Sequence, residues 1–175
     1  MSNPGPSNSG MDPEIFEQFI EQLRRYVRER LIPAEEDVIA NDRIPDDILT
    51  EMREMGLFGI TIPEEFGGAG MSISQYIETG KQISYASPAY RSTMSINVGM
   101  TGSAIKNFGT KEQKDFWLPR IASGEIACFG LTEPGSGSDS AAMQTMAVRD
   151  GNGYKLTGTK RYITNSPAAK IGLIM

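Results

Sequence analysis

The stretch Ile126-Ala127-Cys128-Phe129-Gly130-Leu131-Thr132-Glu133-Pro134-Gly135-Ser136-Gly137-Ser138-Asp139 decides how this chain folds. Before it, apolar residues recur at helical spacing; from it onward they come in short β-like runs. Residues 126–132 read as a short apolar strand, and Glu133 must stay extended because it precedes a proline, which fixes the strand end. Gly135-Ser136-Gly137-Ser138 then offers consecutive N–H groups and hydroxyls, a concavity of the sort that binds phosphate oxygens. Taken alone, such a loop is more often a plain surface turn, and it matches neither the P-loop nor the dinucleotide spacing. Asp139 would repel a phosphate if it pointed inward and is read as a cap or loop brace.

Upstream, Asp12-Pro13-Glu14 reads as an N-cap, a proline at the first helical position and an acidic first turn. Phe16, Phe19/Ile20, Leu23, Val27 and Leu31 follow as one apolar stripe, until Pro33 weakens or ends the helix. A second helix opens at Pro45-Asp46-Asp47, buries Ile48, Met52 and Met55, and stops at Gly56. Residues 57–70 form a turn-rich connector. Residues 72–85 place Ile73, Tyr76/Ile77 and Ile83 on one helix side, and a further helix covers 89–108 with Gly109 closing it. Thr110-Lys111-Glu112-Gln113 has capping-box spacing for a last helix that buries Phe116 and Trp117, kinks or divides at Pro119, and ends at Gly124.

Downstream, residues 143–149 and 154–164 flank Asp150-Gly151-Asn152-Gly153, a hairpin signal. The second run closes on Lys160-Arg161-Tyr162-Ile163-Thr164-Asn165, where strand alternation sets Tyr162 and Thr164 on one face and Ile163 on the other. An aromatic ring beside a hydroxyl suits a flat, polar-edged heterocycle, although Tyr-Ile-Thr by itself is ordinary strand vocabulary. Residues 171–175 begin another strand, and the sequence stops there. The expected organisation is a disordered tail over 1–10, an all-α domain over 11–124 and the start of a β domain over 125–175, an α+β fold.

Composition removes several chemistries. The chain contains 0 histidines, which excludes Ser–His and Cys–His nucleophilic systems and most zinc sites. Cys128 is the single cysteine and reads as a buried small hydrophobe. A net charge of −5 argues against nucleic acid, and the basic Arg24-Arg25 and Arg28-Glu29-Arg30 group alternates with glutamates as a solvated helix face does. No apolar run approaches the ~20 residues that span a membrane, and residues 1–10 lack the features of a signal or transit peptide. A cytoplasmic protein is the default expectation. Acid–base work falls to carboxylates, Lys, Tyr or a cofactor.

The order of features carries a resemblance. A helical first portion, then Pro63-Glu64-Glu65-Phe66-Gly67-Gly68-Ala69-Gly70, then Phe129 to Asp139, then Asn152-Gly153 leading through Leu156, Gly158 and Lys160 to Tyr162-Ile163-Thr164-Asn165, resembles the acyl-CoA dehydrogenase family from Met11 to the end. The resemblance implies a helical domain and a central antiparallel β-barrel or sandwich, with FAD between the β domain and a C-terminal helical bundle absent from this chain. It implies that Phe129, Leu131 and Thr132 line the flavin, Thr132 bonding its pyrimidine edge. Ser138 would bond the FAD pyrophosphate and lie near the pantetheine arm of the substrate. Tyr162 takes the place of the usual tryptophan against the isoalloxazine, with Ile163 beside it, and Thr164 would bond near N5. The implied reaction is α,β-dehydrogenation of an acyl-CoA thioester: a glutamate removes the α-proton, the β-hydride passes to flavin N5, and an electron-transferring flavoprotein reoxidises FAD. That glutamate belongs to the C-terminal domain; Glu133 is read as a strand-end brace instead. A homotetramer or homodimer is implied for the full-length protein.

Ala89-Tyr90-Arg91-Ser92-Thr93-Met94-Ser95 is similar to a segment of glutaryl-CoA dehydrogenases, where the arginine meets a distal carboxylate. Similar segments occur in general acyl-CoA dehydrogenases, and an arginine on a helix is usually solvated or paired. The competing reading is a non-catalytic acyl-CoA or flavin-binding module without the base. A third is a helical interaction domain whose small-residue loops are only structural. An end inside a β pattern favours a truncated chain, since an open edge strand invites aggregation, and residues 1–175 alone are expected to hold little or no FAD.

Overall fold

The computed structural model describes residues 10–175, so the tail expected over 1–10 lies, apart from Gly10, outside the described residues. The Asp12 carboxylate accepts from the N–H groups of Glu14 and Ile15 and starts α1 (Pro13–Tyr26). The helix widens into a π-helical stretch over Val27–Leu31 before the turns around Pro33 end it. Ile20, Leu23, Val27 and Leu31 form its buried stripe. A short helix α2 (Glu35–Asn41) follows that the apolar pattern does not announce, because Val38 is its one buried residue. Its signal is the acidic first turn, Glu35-Glu36-Asp37, favourable at a helix N-terminus.

Helix α3 (Asp46–Glu54) buries Ile48 and Met52, while Met55 caps it half-buried. The connector beyond it is tied by the Ala69 N–H to the Gly59 carbonyl and the Met71 N–H to the Ile60 carbonyl. A Cβ on Gly68 would lie 2.0 Å from the Ile62 carbonyl oxygen, so this turn closes only around glycine. Helix α4 (Ile73–Ile83) begins at a Ser72/Gln75 capping box and packs on α1. Ile83 is buried, but Ile73 and Ile77 face solvent, so the expected side is only partly a core side.

The helix expected over 89–108 is continuous in path but changes pitch: α5 (Pro88–Ser95), a π-helical stretch over Ile96–Gly102, and α6 (Ser103–Phe108). The last helix, α7 (Lys111–Ala122), starts at the Thr110/Gln113 capping box. Pro119 does not divide it; it falls in the final turn, where the helix is ending anyway. Phe116 is exposed rather than buried, lying edge-on against Trp117 with the Arg120 guanidinium over its ring. Leu118 and Ile121 are the residues α7 buries.

Strand β1 (Ala127–Gly130) pairs with β4 (Ile171–Ile174) in parallel, Ala127 opposite Ile171 and Gly130 opposite Ile174. The hairpin β2 (Met146–Asp150) and β3 (Gly153–Thr157) is antiparallel as its turn sequence demands, with Gly151 at φ 57°. The strand expected over 154–164 is corrected: β3 ends at Thr157, where its register with Met146 at the start of β2 runs out. Residues 158–170 are irregular, with Tyr162 at φ 59° and Asn165 at φ 69° in the left-handed region. Tyr162 and Thr164 therefore do not share a strand face.

Two apolar clusters build the core. The larger joins the helices around Leu23, Leu31, Met52, Phe58, Tyr90 and Met94. The smaller, of Ile62, Leu118, Ile121, Ala122, Ala127 and Ile171, seats β1 and β4 on α7. The π-helical stretch of Ile96–Gly102 also holds β1. The Asn97 side chain donates to the Glu125 carbonyl (2.7 Å) and accepts from the Ala127 N–H (2.8 Å), and the Thr101 hydroxyl donates to the Cys128 carbonyl. Cys128 is buried there, and burial pushes its thiol up. No helix among the described residues is long and apolar enough to cross a membrane.

Candidate functional site

Where β1 ends, its exit is tied to the segment that follows β3. The Arg161 N–H donates to the Thr132 carbonyl at 2.8 Å, and the Lys160 ammonium donates to the Leu131 carbonyl at 3.0 Å. Lys160 also meets the Glu133 carboxylate at 2.8 Å, both side chains being largely buried. The same carboxylate accepts from the Gln144 N–H (2.7 Å), the Thr145 N–H (2.9 Å) and the Thr145 hydroxyl. The bond from Lys160, then those from Thr145 and Gln144, hold the Glu133 carboxyl down to about 2. A carboxylate so fully occupied accepts no proton near neutrality, which fits the brace and not a catalytic base.

The small-residue loop divides into an anchored and an open part. Glu133 and Ser136 exchange backbone hydrogen bonds, and the buried Ser136 hydroxyl donates to the Asp139 carbonyl at 2.7 Å. Asp139 thus braces the loop through its backbone. A Cβ at Gly135 or Gly137 would meet nothing within 4 Å, and Ser138 is exposed. The hydroxyls of Thr132, Ser138 and Thr164 have no partner within the described chain. Polar atoms left free at the end of an anchored loop are what an outside ligand with hydrogen-bonding edges requires.

The other expected site residues lie apart. Phe129 is half-buried and lines a cavity of about 780 Å³ with Met100, Ile105, Trp117 and Leu173. Thr164 lines a different cavity of about 510 Å³ with Ser92, Thr93 and Ile126. Next to it, the Asn165 amide donates to the Ala127 carbonyl and accepts from the Thr93 hydroxyl, which ties this segment to both β1 and α5. Tyr162 is 78% exposed with the Arg161 guanidinium 4.6 Å above its ring, and Ile163 is half-buried. Leu131 and Thr132 are brought against Lys160 and Arg161, whereas among the described residues Phe129 and Thr164 line separate cavities and Ser138 and Tyr162 are exposed. Arg91 is exposed on α5 beside Ser92 and Thr93 of the Thr164 cavity. Burial pushes the Tyr76 hydroxyl up, and the Arg91 charge acts against that shift.

Lys160, Asn165 and Thr93 are the linking residues to which the sequence reading gives no role. A lysine and a glutamate 27 positions apart carry no local periodicity that could join them.

Residues 13–125 match the family described as acyl-CoA dehydrogenase, N-terminal domain, and residues 128–175 match acyl-CoA dehydrogenase, middle domain. An acyl-CoA dehydrogenase of Bacillus subtilis (strain 168) is 37% identical over 150 residues, which are 85% of this chain and 40% of that protein. Among solved structures, a glutaryl-CoA dehydrogenase from Mycobacterium smegmatis in complex with FADH2 superposes with a TM-score of 0.84 at 32% identity, covering 97% of this chain and 44% of that one. A chain from a structure of the electron transferring flavoprotein of Acidaminococcus fermentans gives 0.85 at 31% identity, covering 99% and 44%. The chain thus spans well under half the length of these relatives. With both domain families matched in order along a helical region and its following strands, the chain belongs to the acyl-CoA dehydrogenase family.

Proposed function

We propose that this chain is the N-terminal and flavin-holding part of an FAD-dependent acyl-CoA dehydrogenase that desaturates acyl-CoA thioesters between the α and β carbons. The observation that carries the reading is the set of free hydroxyls on Thr132, Ser138 and Thr164, placed on the two motifs that Lys160 and Arg161 bind together. The residues fit the group: a tethered strand end, an open small-residue loop and an exposed tyrosine ring suit a flat heterocycle with a phosphate tail. When bound, FAD supplies the two-electron acceptor for the hydride lost from the β carbon.

The chain's own residues bind and orient. Thr132 and Thr164 offer hydroxyls to ring heteroatoms, Phe129, Leu131 and Ile163 supply apolar contact, and Tyr162 supplies a stacking face. Ser138, beside the open glycines, offers its hydroxyl to phosphate oxygens and the pantetheine arm. Glu133 is committed to Lys160, Gln144 and Thr145, so the proton acceptor belongs to another part of the whole protein. The whole protein takes acyl-CoA as substrate and an electron-transferring flavoprotein as electron acceptor, assembles as a homodimer or homotetramer, and works in the cytoplasm. The solved relatives with FADH2 and from an electron-transferring flavoprotein structure support this reading.

Arg91 allows a dicarboxylyl thioester, since it is exposed, carries no ion pair among the described residues and directly precedes Ser92 and Thr93 of the Thr164 cavity. An anaerobic titration of the whole flavoprotein with butyryl-CoA and glutaryl-CoA tests both levels. Bleaching by either thioester supports dehydrogenation, and bleaching by neither contradicts it. An Arg91→Ala variant that keeps the wild-type glutaryl-to-butyryl preference removes the dicarboxylyl reading alone.

A further inference from the structure

We propose that the Lys160–Glu133 pair is a positioning unit that sets the Leu131–Thr132 peptide and the Tyr162 backbone for flavin binding; this rests on the flavin reading above. Two consecutive carbonyls, of Leu131 and Thr132, are taken by two consecutive residues, Lys160 and Arg161. A peptide whose carbonyl neighbours are pinned at both ends has no freedom to flip, so the Thr132 Cα–Cβ bond keeps one direction. On the other side of the junction, Tyr162 follows Arg161 directly and adopts φ 59°, a conformation that non-glycine residues leave unless the surroundings hold them.

The choice of charged residues supports a positioning role. Lys160 and Glu133 have side chains only 11% and 6% exposed. Removing such an ion pair from water costs about what its attraction returns, so a well-packed apolar pair would be similarly stable. Direction is what the ions add. One ammonium spends its donors on the Leu131 carbonyl, the Glu133 carboxylate and the Met143 sulfur, and one carboxylate collects Lys160, Gln144 and Thr145. Three segments are thereby fixed at one point: the exit of β1 through Glu133, the approach to β2 and the segment after β3. Neither residue has a free polar group to offer a ligand, so both act through Thr132 and Tyr162.

The test uses the whole flavoprotein with Lys160→Met, Lys160→Arg and the double variant Glu133→Gln/Lys160→Met. FAD dissociation constants, the visible spectrum of the bound flavin and its reduction potential are compared with wild type. Lys160→Met is expected to raise the FAD dissociation constant about tenfold or more, the scale of one lost charge-assisted hydrogen bond, and to shift the flavin band and potential. Lys160→Arg is expected to recover most of the affinity. The double variant leaves no unpaired buried charge, so it should recover part of the thermal midpoint that Lys160→Met loses while binding FAD as weakly as that variant. That combination separates positioning from mere stability, and it decides the matter if Lys160→Met alone fails to fold. Wild-type affinity, spectrum and potential in the double variant would overturn the proposal. A wild-type protein that takes up no FAD would instead overturn the flavin reading on which it stands.

Discussion

Lys160 and Glu133, 27 residues apart in sequence, meet at 2.8 Å in a largely buried ion pair that joins the end of β1 to the segment after β3. The carboxyl of Glu133 is held down to about 2, below the ordinary carboxylate value, first by Lys160 and then by Thr145 and Gln144. A depressed carboxyl binds fewer protons in the folded state than in the unfolded one. Its contribution is therefore complete above the ordinary carboxylate range and is lost as pH falls toward about 2. Urea unfolding of 1–175 at a series of pH values checks this. Glu133→Gln is expected to be less stable than wild type at neutral pH, with the gap closing as pH drops through that window. A gap that stays constant with pH contradicts the assignment.

The link between the helices and β1 rests on Asn97, which is fully buried and pairs with both the Glu125 carbonyl and the Ala127 N–H. Its amide acts as a short replacement for a neighbouring strand. Asn97→Ala leaves two backbone groups without partners, and the expected loss is about 2–4 kcal/mol by equilibrium unfolding. Asn97→Asp should also destabilise, because a carboxylate can still accept from Ala127 but meets the Glu125 carbonyl oxygen with charge.

Tyr90 tests the helical core in the alkaline direction. It is fully buried, donates to the Leu31 carbonyl at 3.1 Å, and burial pushes its hydroxyl up to about 12. Raised above its unfolded value, this group stabilises the fold fully below about 10 and loses that contribution as pH climbs through about 12. Tyr90→Phe is expected to cost about 1–3 kcal/mol at neutral pH, the range for a buried acceptor left unpaired. Its unfolding free energy should fall less steeply than wild type above pH 10.

Gly68 gives the sharpest steric prediction. An added Cβ would meet the carbonyl oxygens of Ile62 at 2.0 Å and Gly59 at 2.5 Å, and backbone cannot move aside as a flexible side chain can. Gly68→Ala should lose more than about 3 kcal/mol in urea unfolding, among the large single-residue effects. Gly135→Ala, where nothing lies within 4 Å, should be close to neutral in the same measurement.

The α-to-β change at Ile126 was legible because period and turn chemistry both switch there. The Thr110 and Ser72 capping boxes and the Asp150–Gly153 hairpin turn were likewise local, carried by side chains within a few residues of what they satisfy. What local pattern misjudged was decided by tertiary partners. Phe116 faces solvent because Leu118 and Ile121 point at the β1–β4 cluster, and β3 stops at Thr157 because its hairpin partner stops at Met146. The parallel pairing of β1 with β4 joins segments 44 residues apart at Ala127 and Ile171, which no short-range rule could align. At the candidate site, Ser138 was legible in a small-residue loop, whereas the strand expected over 126–132 ends at Gly130 and leaves Thr132 two residues beyond it. The Lys160–Glu133 and Asn97–Ala127 links were not legible, since each is a long-range contact between ordinary residues.

Among the described residues Phe129 and Thr164 line two different cavities, and Ser138 and Tyr162 are exposed, so this chain alone is expected to be colourless and to retain little or no FAD after purification. Absorbance of the purified chain checks it, and a yellow preparation loaded with one FAD per chain would contradict it.

Titration of the apo form of the whole protein with FAD, alongside Thr132→Val and Tyr162→Ala, asks whether the two motifs jointly hold a flavin. Saturable uptake of one FAD per chain is expected in wild type and weaker uptake in both variants. No uptake by wild type, or equal uptake by all three, would contradict the flavin reading.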